Sequence, residues 1–229
     1  AILYDTGASY SSGFNMIETA ILPYLQHAGI KQLDKVFISH SDNDHAGGLA
    51  KLQQSIVINE LIYNTKKEKV HSRCLQGKSL DWLGLTIHML WPEEAVYKEN
   101  DDSCVLLITD GSHQVLLTGD ISKKTERQLI KQYPQLGADV LVVPHHGSKT
   151  SSSDAFIAQV NPKFAIVSAG FLNRWHMPAV DVSDRYHNKD IQLLNSAELG
   201  QIIINFSEKG LTKQTYHENL WPFWFANSP

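Results

Sequence analysis

Residues 36–48 read VFISHSDNDHAGG, a short apolar strand followed at once by a loop rich in metal-ligating side chains. Four potential ligands lie within six residues of this loop: His40, Asp42, Asp44 and His45. In an extended loop His40 and Asp42 point the same way, because side chains two residues apart share a face. Asp44 and His45 begin a helix and can serve a second position. The two glycines that follow allow a tight backbone turn. This spacing predicts two neighbouring metal positions served by a single loop.

Two later apolar strands lead to ligand-type side chains in the same way. Residues 115–118 precede Asp120, and residues 140–143 precede His145 and His146. Taken alone, Asp120 is more typical of a helix N-cap, and the histidine pair is more typical of an ordinary loop. Because α/β folds usually build their sites at the carboxyl ends of strands, we expect these groups to join the first loop. The sequence therefore predicts one composite metal site.

The composition fits one compact domain, which we assign to residues 1–229 with an aromatic tail at about 217–229. Apolar residues make up 42% of the chain and charged residues 19%, values that argue against disorder. A net charge of −4 gives no generic nucleic-acid signal. No run approaches the eighteen apolar residues of a membrane span. We expect Cys74 and Cys104 to be an unpaired loop thiol and a buried strand thiol.

Short β-branched runs alternate with helical patterns, which predicts an α/β fold. Hairpin-linked strands favour a mixed two-sheet sandwich covered by helices. Strands are predicted at residues 2–5, 35–39, 56–62, 85–90, 104–109, 114–118, 140–143, 164–168, 191–194 and 201–206. Helices are predicted at residues 15–28, 46–53, 122–133, 152–160 and 180–187. The first helix begins with a capping pair, Asn15 and Glu18, and Pro23 predicts a kink or two short segments.

These motifs resemble the metallo-β-lactamase superfamily, whose signature is an HxHxDH loop followed by distant His, Asp and His ligands. The sequence is similar in particular to the C-terminal domain of the ComEC family of DNA-internalisation competence proteins. The matching segments run from Tyr4 to about Pro178 and comprise residues 3–7, 40–48, 100–103, 116–121, 143–151 and 169–178. The resemblance implies an αββα sandwich with a metal pair between the edges of two sheets. Relatives carry a strand before the segment matching residues 2–7, so we expect a piece truncated at its N-terminal strands.

The resemblance also implies metal-binding roles. His40 and Asp42 would bind the first metal, Asp44 and His45 the second, and Asp120 would bridge both. Either His145 or His146 would complete the second site, with His146 as general acid if His145 is the ligand. The predicted catalytic residues are therefore Asp44, Asp120 and His146.

Two departures from the superfamily pattern replace nitrogen ligands with oxygen. Asp42 stands where the second loop histidine is usual, and Asn100-Asp101 stand where a third-motif histidine is expected. Oxygen-rich sites suit manganese or magnesium better than a strictly histidine-rich zinc site does. We therefore expect two divalent ions, manganese or zinc, with Asn100 and Asp101 in supporting positions.

Further residues are assigned supporting or substrate-binding roles. Asp5 is expected to orient a ligand histidine, although the alternative is that it simply ends a strand and caps a turn. Three residues after the histidine pair could hold a phosphate: Ser148, Lys149 and Thr150. Arg174 is a candidate for substrate contact. Lys149 and Arg174 are also compatible with ordinary surface charge.

The resemblance implies a nuclease that degrades the non-transported strand of incoming DNA, with single-stranded DNA as substrate. Its partners would be the membrane channel and N-terminal domains of a larger inner-membrane protein and the competence machinery. The domain itself would lie outside the cytoplasm, on the periplasmic or extracellular side. Two alternatives remain: a hydrolase of lactones, thioesters, β-lactams or small phosphodiesters, and a catalytically weak domain that guides DNA. Residues 66–69 are either a nucleic-acid track or a solvated loop, and the aromatic tail either packs on the domain or meets a membrane.

Overall fold

A computed structural model describes residues 1–65, 70–95 and 100–220. The first sheet contains three parallel strands in the order β1-β2-β3: β1 Ile2–Tyr4, β2 Gln32–Ile38 and β3 Val57–Tyr63. Residues 66–69, and residues 221–229 of the aromatic tail, lie outside the described residues, so their predicted roles stay predictions.

The second sheet contains seven strands. They are β4 Ser79–Trp82, β5 Leu85–Trp91, β6 Val105–Thr109, β7 Gln114–Leu117, β8 Val140–Val142, β9 Phe164–Val167 and β10 Gln192–Asn195. Their spatial order is β10-β9-β8-β7-β6-β5-β4, which is a simple sequential arrangement. Strands β4 to β7 pair antiparallel, and β7 to β10 pair parallel. A separate antiparallel hairpin follows, formed by β11 Ile202–Ser207 and β12 Gly210–Thr215.

The α-helices of the described residues lie between these strands. They are α1 Leu22–His27, α2 Asn43–Ala46, α3 Leu49–Ser55, α4 Lys123–Gln132, α5 Asp154–Val160, α6 Val180–His187 and α7 Ser196–Leu199. A π-helical turn at Ile17–Ile21 precedes α1, and another follows β12 at Tyr216–Leu220. Short 3-10 turns occupy Asn100–Asp102 and Pro144–Gly147. No helix of the described part is both long and apolar enough to cross a bilayer.

The buried clusters show how the layers stack. On β2, Val36 and Ile38 face a cluster with Leu25 and Leu52 of the first helical layer. Phe37 points the other way, as strand alternation requires, and packs in a cluster with residues of the second sheet. The opposite face of the second sheet packs against α4, α5 and α6 in a third cluster. The result is an αββα sandwich, as the resemblance implied.

The predicted elements agree with the structure except at particular points. Helix α6 has its predicted bounds, and Asn15 and Glu18 bond reciprocally, at 2.9 Å through the Glu18 N–H and 2.6 Å between side chains. The region containing Pro23 does divide, into the π-helical turn and α1. The predicted helix at 46–53 instead forms α2 and α3. Strands β4 and β12 were not predicted, because β4 is largely exposed and β12 carries several polar residues.

The expectation of two free thiols was wrong. Cys74 and Cys104 form a disulfide, with their Cα atoms 5.7 Å apart. Thirty residues separate them in the sequence, and the fold brings both into the buried cluster between the two sheets. A sequence separation carries no information about such a long-range approach, so composition alone favoured the unpaired interpretation.

Candidate metal centre

The predicted ligand segments meet where β2, β7 and β8 end. These segments approach one another closely at Gly119, which has a φ of +54°. A Cβ atom there would lie 2.7 Å from the Cβ of Ser103 and 2.9 Å from the Cβ of Ser39. Glycine therefore lets the segment that carries Asp120 pass between two neighbouring strand ends.

Four side chains form a compact donor group. The ligand atoms of Asp44, His45, Asp120 and His146 all lie within 4.8 Å of one another. His45 Nε2 is 3.1 Å from Asp120 Oδ1 and 3.3 Å from His146 Nε2, and His146 Nε2 is 3.3 Å from Asp44 Oδ2. The structure thus places His146, rather than His145, in the most compact group.

A carboxylate fixes the orientation of His45. Asp5, in a left-handed conformation at the end of β1, places Oδ2 2.7 Å from His45 Nδ1. Asp5 also accepts hydrogen bonds from the N–H and hydroxyl of Ser39, at 2.7 and 2.9 Å. Such a carboxylate holds the imidazole so that its other nitrogen faces the donor group. Asp5 therefore lies beside a histidine of the donor group, and its role in orienting a metal ligand stays a prediction.

A backbone carbonyl fixes His146 in the same way. His146 Nδ1 lies 2.7 Å from the carbonyl oxygen of Ser168, directly after β9. Both His145 and His146 have positive φ angles, 50° and 53°, which non-glycine residues rarely adopt. This turn directs two adjacent rings to different places, and its backbone conformation could not be read from the sequence.

His40 packs against the compact group, since its ring centroid lies 4.2 Å from that of His45, and Asp42 lies beside it. His40 is buried, and its Nε2 has no hydrogen-bond partner among the described residues. Its Nδ1 lies 3.0 Å from the hydroxyl of Ser39 and 3.4 Å from that of Ser103. Asp42 Oδ2 is 3.5 Å from the unpartnered Nε2. A buried nitrogen without a partner, beside a carboxylate, is the arrangement expected of a ligand position.

His145 is held at the rim of the centre. Its Nε2 is 3.7 Å from Asp120 Oδ2, and the side-chain amide of Asn100 lies 3.3 Å from the same nitrogen. The hydroxyl of Thr150 is 3.2 Å from His145 Nδ1 and 3.1 Å from the hydroxyl of Ser148. Asn100, Ser148 and Thr150 thus form a polar wall around this ring.

The remaining predicted residues make contacts with groups outside the donor group. Asp101 Oδ1 accepts hydrogen bonds from the Ser122 N–H and the Thr125 hydroxyl, so it stabilises the start of α4. Lys149 is largely exposed, with Nζ 3.4 Å from Asp181. Arg174 stacks on the ring of Trp175 in the loop after β9. The first turn of α4 is capped by Ser122, not by Asp120.

The charges of the donor group are strongly coupled. Burial opposes the charged form of His45, but hydrogen bonds to Asp120 and Asp5 outweigh it and raise its pKa to about 11. The hydrogen bond with His146 holds the pKa of Asp44 well below its usual range. Burial would raise the pKa of Asp120, yet the hydrogen bond from His45 lowers it. The protonated histidine therefore offsets the negative charge of the carboxylates, a role that a bound cation would also fill.

The donors fit divalent metal ions. Imidazole nitrogens and carboxylate oxygens together suit zinc and manganese. Both imidazoles of the compact group have their Nδ1 atoms occupied and their Nε2 atoms directed inward. His40 adds a further buried nitrogen with no hydrogen-bond partner among the described residues.

Sequence reasoning missed three supporting groups. The Ser39 hydroxyl lies within 3.1 Å of both His40 Nδ1 and His45 Nδ1, and the Ser103 hydroxyl accepts a hydrogen bond from the Asp120 N–H at 2.9 Å. The third is the carbonyl of Ser168. The two serines stand beside ligand motifs in the sequence, a signal that could have identified them, whereas the carbonyl leaves no such trace.

The fold and the donor group define a metallo-β-lactamase-type domain. A profile of the metallo-beta-lactamase superfamily matches residues 1–170, and the chain belongs to this superfamily. Its similar full-length relatives are proteins of the ComEC family. One is Recombination protein 2 of Haemophilus influenzae, 41% identical over 98% of the chain. Another is ComE operon protein 3 of Bacillus subtilis, 33% identical over 94% of the chain.

Competence protein ComA of Neisseria gonorrhoeae is 32% identical over the whole chain. The chain spans only 28% of the Haemophilus protein, 31% of the Bacillus protein and 32% of the Neisseria protein. Among solved structures, the metallo-beta-lactamase fold protein YhfI of Bacillus subtilis aligns with a TM-score of 0.56 and 14% identity. That alignment covers 93% of this chain and 87% of YhfI, and it shows a shared fold.

Proposed function

We propose that this domain is a metal-dependent nuclease that hydrolyses DNA phosphodiester bonds during competence and degrades the strand that is not transported. The observation that carries the proposal is the compact donor group of Asp44, His45, Asp120 and His146. Its mixture of carboxylates and oriented imidazoles suits ions that act on phosphate oxygens. The named relatives in competence support the choice of DNA as substrate.

The proposal includes two ions, manganese or zinc. Asp44, His45 and His146 would hold one ion, and His40 and Asp42 the other. We assign Asp120 to both ions, as the resemblance implies; its Oδ1 lies 3.1 Å from His45 Nε2, and its Oδ2 lies 3.6 Å from His146 Nε2 and 3.7 Å from His145 Nε2. Of the two possibilities that the sequence left open, this proposal makes His146 the ligand.

Divalent ions at such a site activate water and stabilise the charge that develops on a phosphate. His145 is then left to transfer a proton to the leaving oxygen. Its ring is partly exposed, and the Thr150 hydroxyl and the Asn100 amide orient it. Carboxylates of the donor group stay ionised near neutral pH, because histidine hydrogen bonds lower the pKa values of Asp44 and Asp120.

Substrate contacts would come from the polar rim. The hydroxyls of Ser148 and Thr150 lie 3.1 Å apart beside His145 and can donate to phosphate oxygens. Arg174 belongs to the exposed loop that follows Ser168, and Lys149 supplies a point charge at the surface. Local attraction of this kind is needed because the chain as a whole is acidic.

We further propose that the domain works outside the cytoplasm, attached to the channel of a larger inner-membrane protein and alongside the competence machinery. The Cys74–Cys104 disulfide supports this location, because disulfides persist in oxidising compartments and are rare in the bacterial cytoplasm. The fraction of each relative that the chain matches supports a larger parent protein.

The test is cleavage of labelled single-stranded DNA by the protein loaded with manganese or zinc. We expect cleavage with added metal, none with a chelator, and none by Asp44→Ala. The matched control is Asp184→Ala, which removes an exposed carboxylate of α6. Failure to cut DNA with any divalent metal would contradict the proposal. Equal cutting by Asp44→Ala would identify a contaminating enzyme and would also contradict it.

A further inference from the structure

The loop between Ser168 and Val180 exposes large apolar side chains beside the metal centre. Phe171 is 77% exposed, Leu172 is 85% exposed and Trp175 is 62% exposed. The guanidinium carbon of Arg174 lies 4.2 Å from the centroid of the Trp175 ring. Exposed apolar groups that cluster in one segment usually mark a binding surface.

Both ends of this loop are fastened to the turn that carries the two histidines. At one end, the Ser168 carbonyl oxygen lies 2.7 Å from His146 Nδ1. At the other end, the Ala179 N–H donates to the Gly147 carbonyl at 2.9 Å. Pro178 packs so closely on Gly147 that a Cβ there would lie 2.6 Å from the proline Cβ. The loop therefore extends from the rim of the centre itself.

The loop is internally braced. The Asn173 side-chain amide donates to the carbonyls of Gly170 and Met177, at 3.1 and 2.7 Å, and its oxygen accepts from the Met177 N–H at 2.8 Å. Leu172 and His176 both have positive φ angles, of 53° and 52°. Unfavourable backbone conformations that surrounding bonds maintain are concentrated at functional sites. The bracing fixes the backbone that carries the aromatic rings.

A second pair of exposed rings lies in a loop that begins beside another ligand segment. Tyr10 and Phe14 are 56% and 49% exposed, and their ring centroids lie 5.8 Å apart. Their loop leaves the segment in which the Thr6 N–H donates to the His45 carbonyl at 2.7 Å. One aromatic loop thus starts beside His45 and the other beside His146, two residues of the compact donor group.

We propose that these two loops stack the unpaired bases of a single-stranded nucleic acid and so deliver its backbone to the metal centre. The inference rests on the proposed nuclease function and adds how the strand is selected. Aromatic rings stack on any base, and a neighbouring arginine adds attraction for the phosphates. Paired bases in a duplex already stack on one another, so the loops favour single strands. A surface that binds a protein partner would not need to begin beside the metal ligands, as these two loops do.

The test measures binding without cleavage. Fluorescently labelled oligothymidylate is titrated with the full 229-residue chain in chelator at low salt, and anisotropy is recorded. Trp175→Ala should weaken binding about tenfold, within the range known for loss of one stacked base. Trp175→Phe should retain most of the affinity, and Phe171→Ala should weaken it. The matched control is Tyr24→Ala, which removes an exposed ring from α1.

An abasic oligonucleotide of the same length separates stacking from charge. Wild-type protein should bind it about tenfold more weakly than oligothymidylate, and Trp175→Ala should not weaken that binding further. The inference is overturned if oligothymidylate does not bind, if the abasic strand binds equally well, or if Trp175→Ala and Phe171→Ala bind like wild type. In the last case these rings contact something other than DNA bases, such as a protein.

The two proposals can fail separately. If no metal supports cleavage but Trp175→Ala still loses base-dependent binding, the nuclease proposal is wrong and the stacking platform stands. If manganese-loaded protein cuts DNA and the ring variants bind and cut like wild type, the nuclease proposal stands and the platform is wrong.

Discussion

The histidines on the two sides of the metal centre are oriented by different kinds of hydrogen-bond partner. The compact side contains Asp44, His45 and His146, and the Nδ1 atoms of its two histidines face a carboxylate and a backbone carbonyl. The open side contains His40, Asp42 and His145. There, the Nδ1 atoms of His40 and His145 face hydroxyl groups, and His40 Nε2 has no hydrogen-bond partner among the described residues. Asp120 Oδ1 lies 3.1 Å from His45 Nε2, and its Oδ2 lies 3.6 Å from His146 Nε2 and 3.7 Å from His145 Nε2.

This difference separates a prepared site from an adaptable one. Ligands whose orientation is fixed in advance lose little freedom when an ion binds, and the charge-assisted bond of Asp5 holds its histidine more firmly than a neutral hydroxyl does. The compact side should therefore bind its ion more tightly. The following variants and conditions test that order, beginning with the largest expected effect.

Asp120→Asn should remove metal from both sides. The substitution keeps the shape but removes the charge that lies 3.1 Å from His45 and 3.7 Å from His145. The loss of affinity should exceed the roughly 10- to 100-fold typical of a changed supporting residue. Metal content after dialysis and DNA cleavage measure it, with Asp184→Asn as control. Retention of one full equivalent of metal would contradict the shared position of Asp120.

His40→Ala and His45→Ala should separate the two sides. Without His40 the compact side remains complete, so the protein should keep one tightly bound ion. Without His45, at the centre of the compact group, the tighter ion should be lost. Titration calorimetry with manganese counts the sites and ranks them. The proposed order is wrong if His40→Ala abolishes the tighter site.

Asp5→Asn should weaken the compact side without removing a ligand. The variant loses the charge that orients His45 through Nδ1 at 2.7 Å. We expect a loss of about 10- to 100-fold in affinity for the tighter ion. The weaker ion should change less. Equal weakening of both ions in titration calorimetry would show that Asp5 acts on the fold as a whole.

Metal binding should release a proton and strengthen as the pH rises. In the metal-free protein Asp120 and Asp5 raise the pKa of His45 to about 11, so its ring is protonated at neutral pH. The ion must displace that proton. The stability of the metal-free fold depends on pH in the opposite direction and decreases as the pH rises. The charged ring stabilises the fold fully below its ordinary pKa of roughly 6.5, and this contribution is lost as the pH rises towards 11. Calorimetry in two buffers of different ionisation enthalpy counts the protons, and no release would contradict this account.

Removal of the disulfide should disturb the open side most. Cys104 follows the segment with Asn100 and Ser103, which contact His145 and His40. The double variant Cys74→Ser, Cys104→Ser should lose about 2–4 kcal/mol of unfolding free energy. Denaturant unfolding measures that loss, and calorimetry should show a change mainly in the weaker ion. Unchanged stability would contradict the structural role of the bond.

Local patterns predicted the parts of the molecule that local interactions determine. The strand and loop at 36–48 gave four neighbouring donors, and the Asn15–Glu18 pair bonds as the spacing indicated. Family resemblance added the layered fold. Long-range geometry was different: the Cys74–Cys104 bond depends on the packing of two sheets. The separate placement of His145 and His146 depends on a left-handed turn that the residue types in this segment do not predict.

Anomalous diffraction from crystals grown with manganese tests the central claim most directly. The account predicts a strong peak bound by Asp44, His45, Asp120 and His146, and a weaker peak beside His40 and Asp42. Manganese bound elsewhere in the chain, or absent from the four-residue group at saturating concentration, would contradict it.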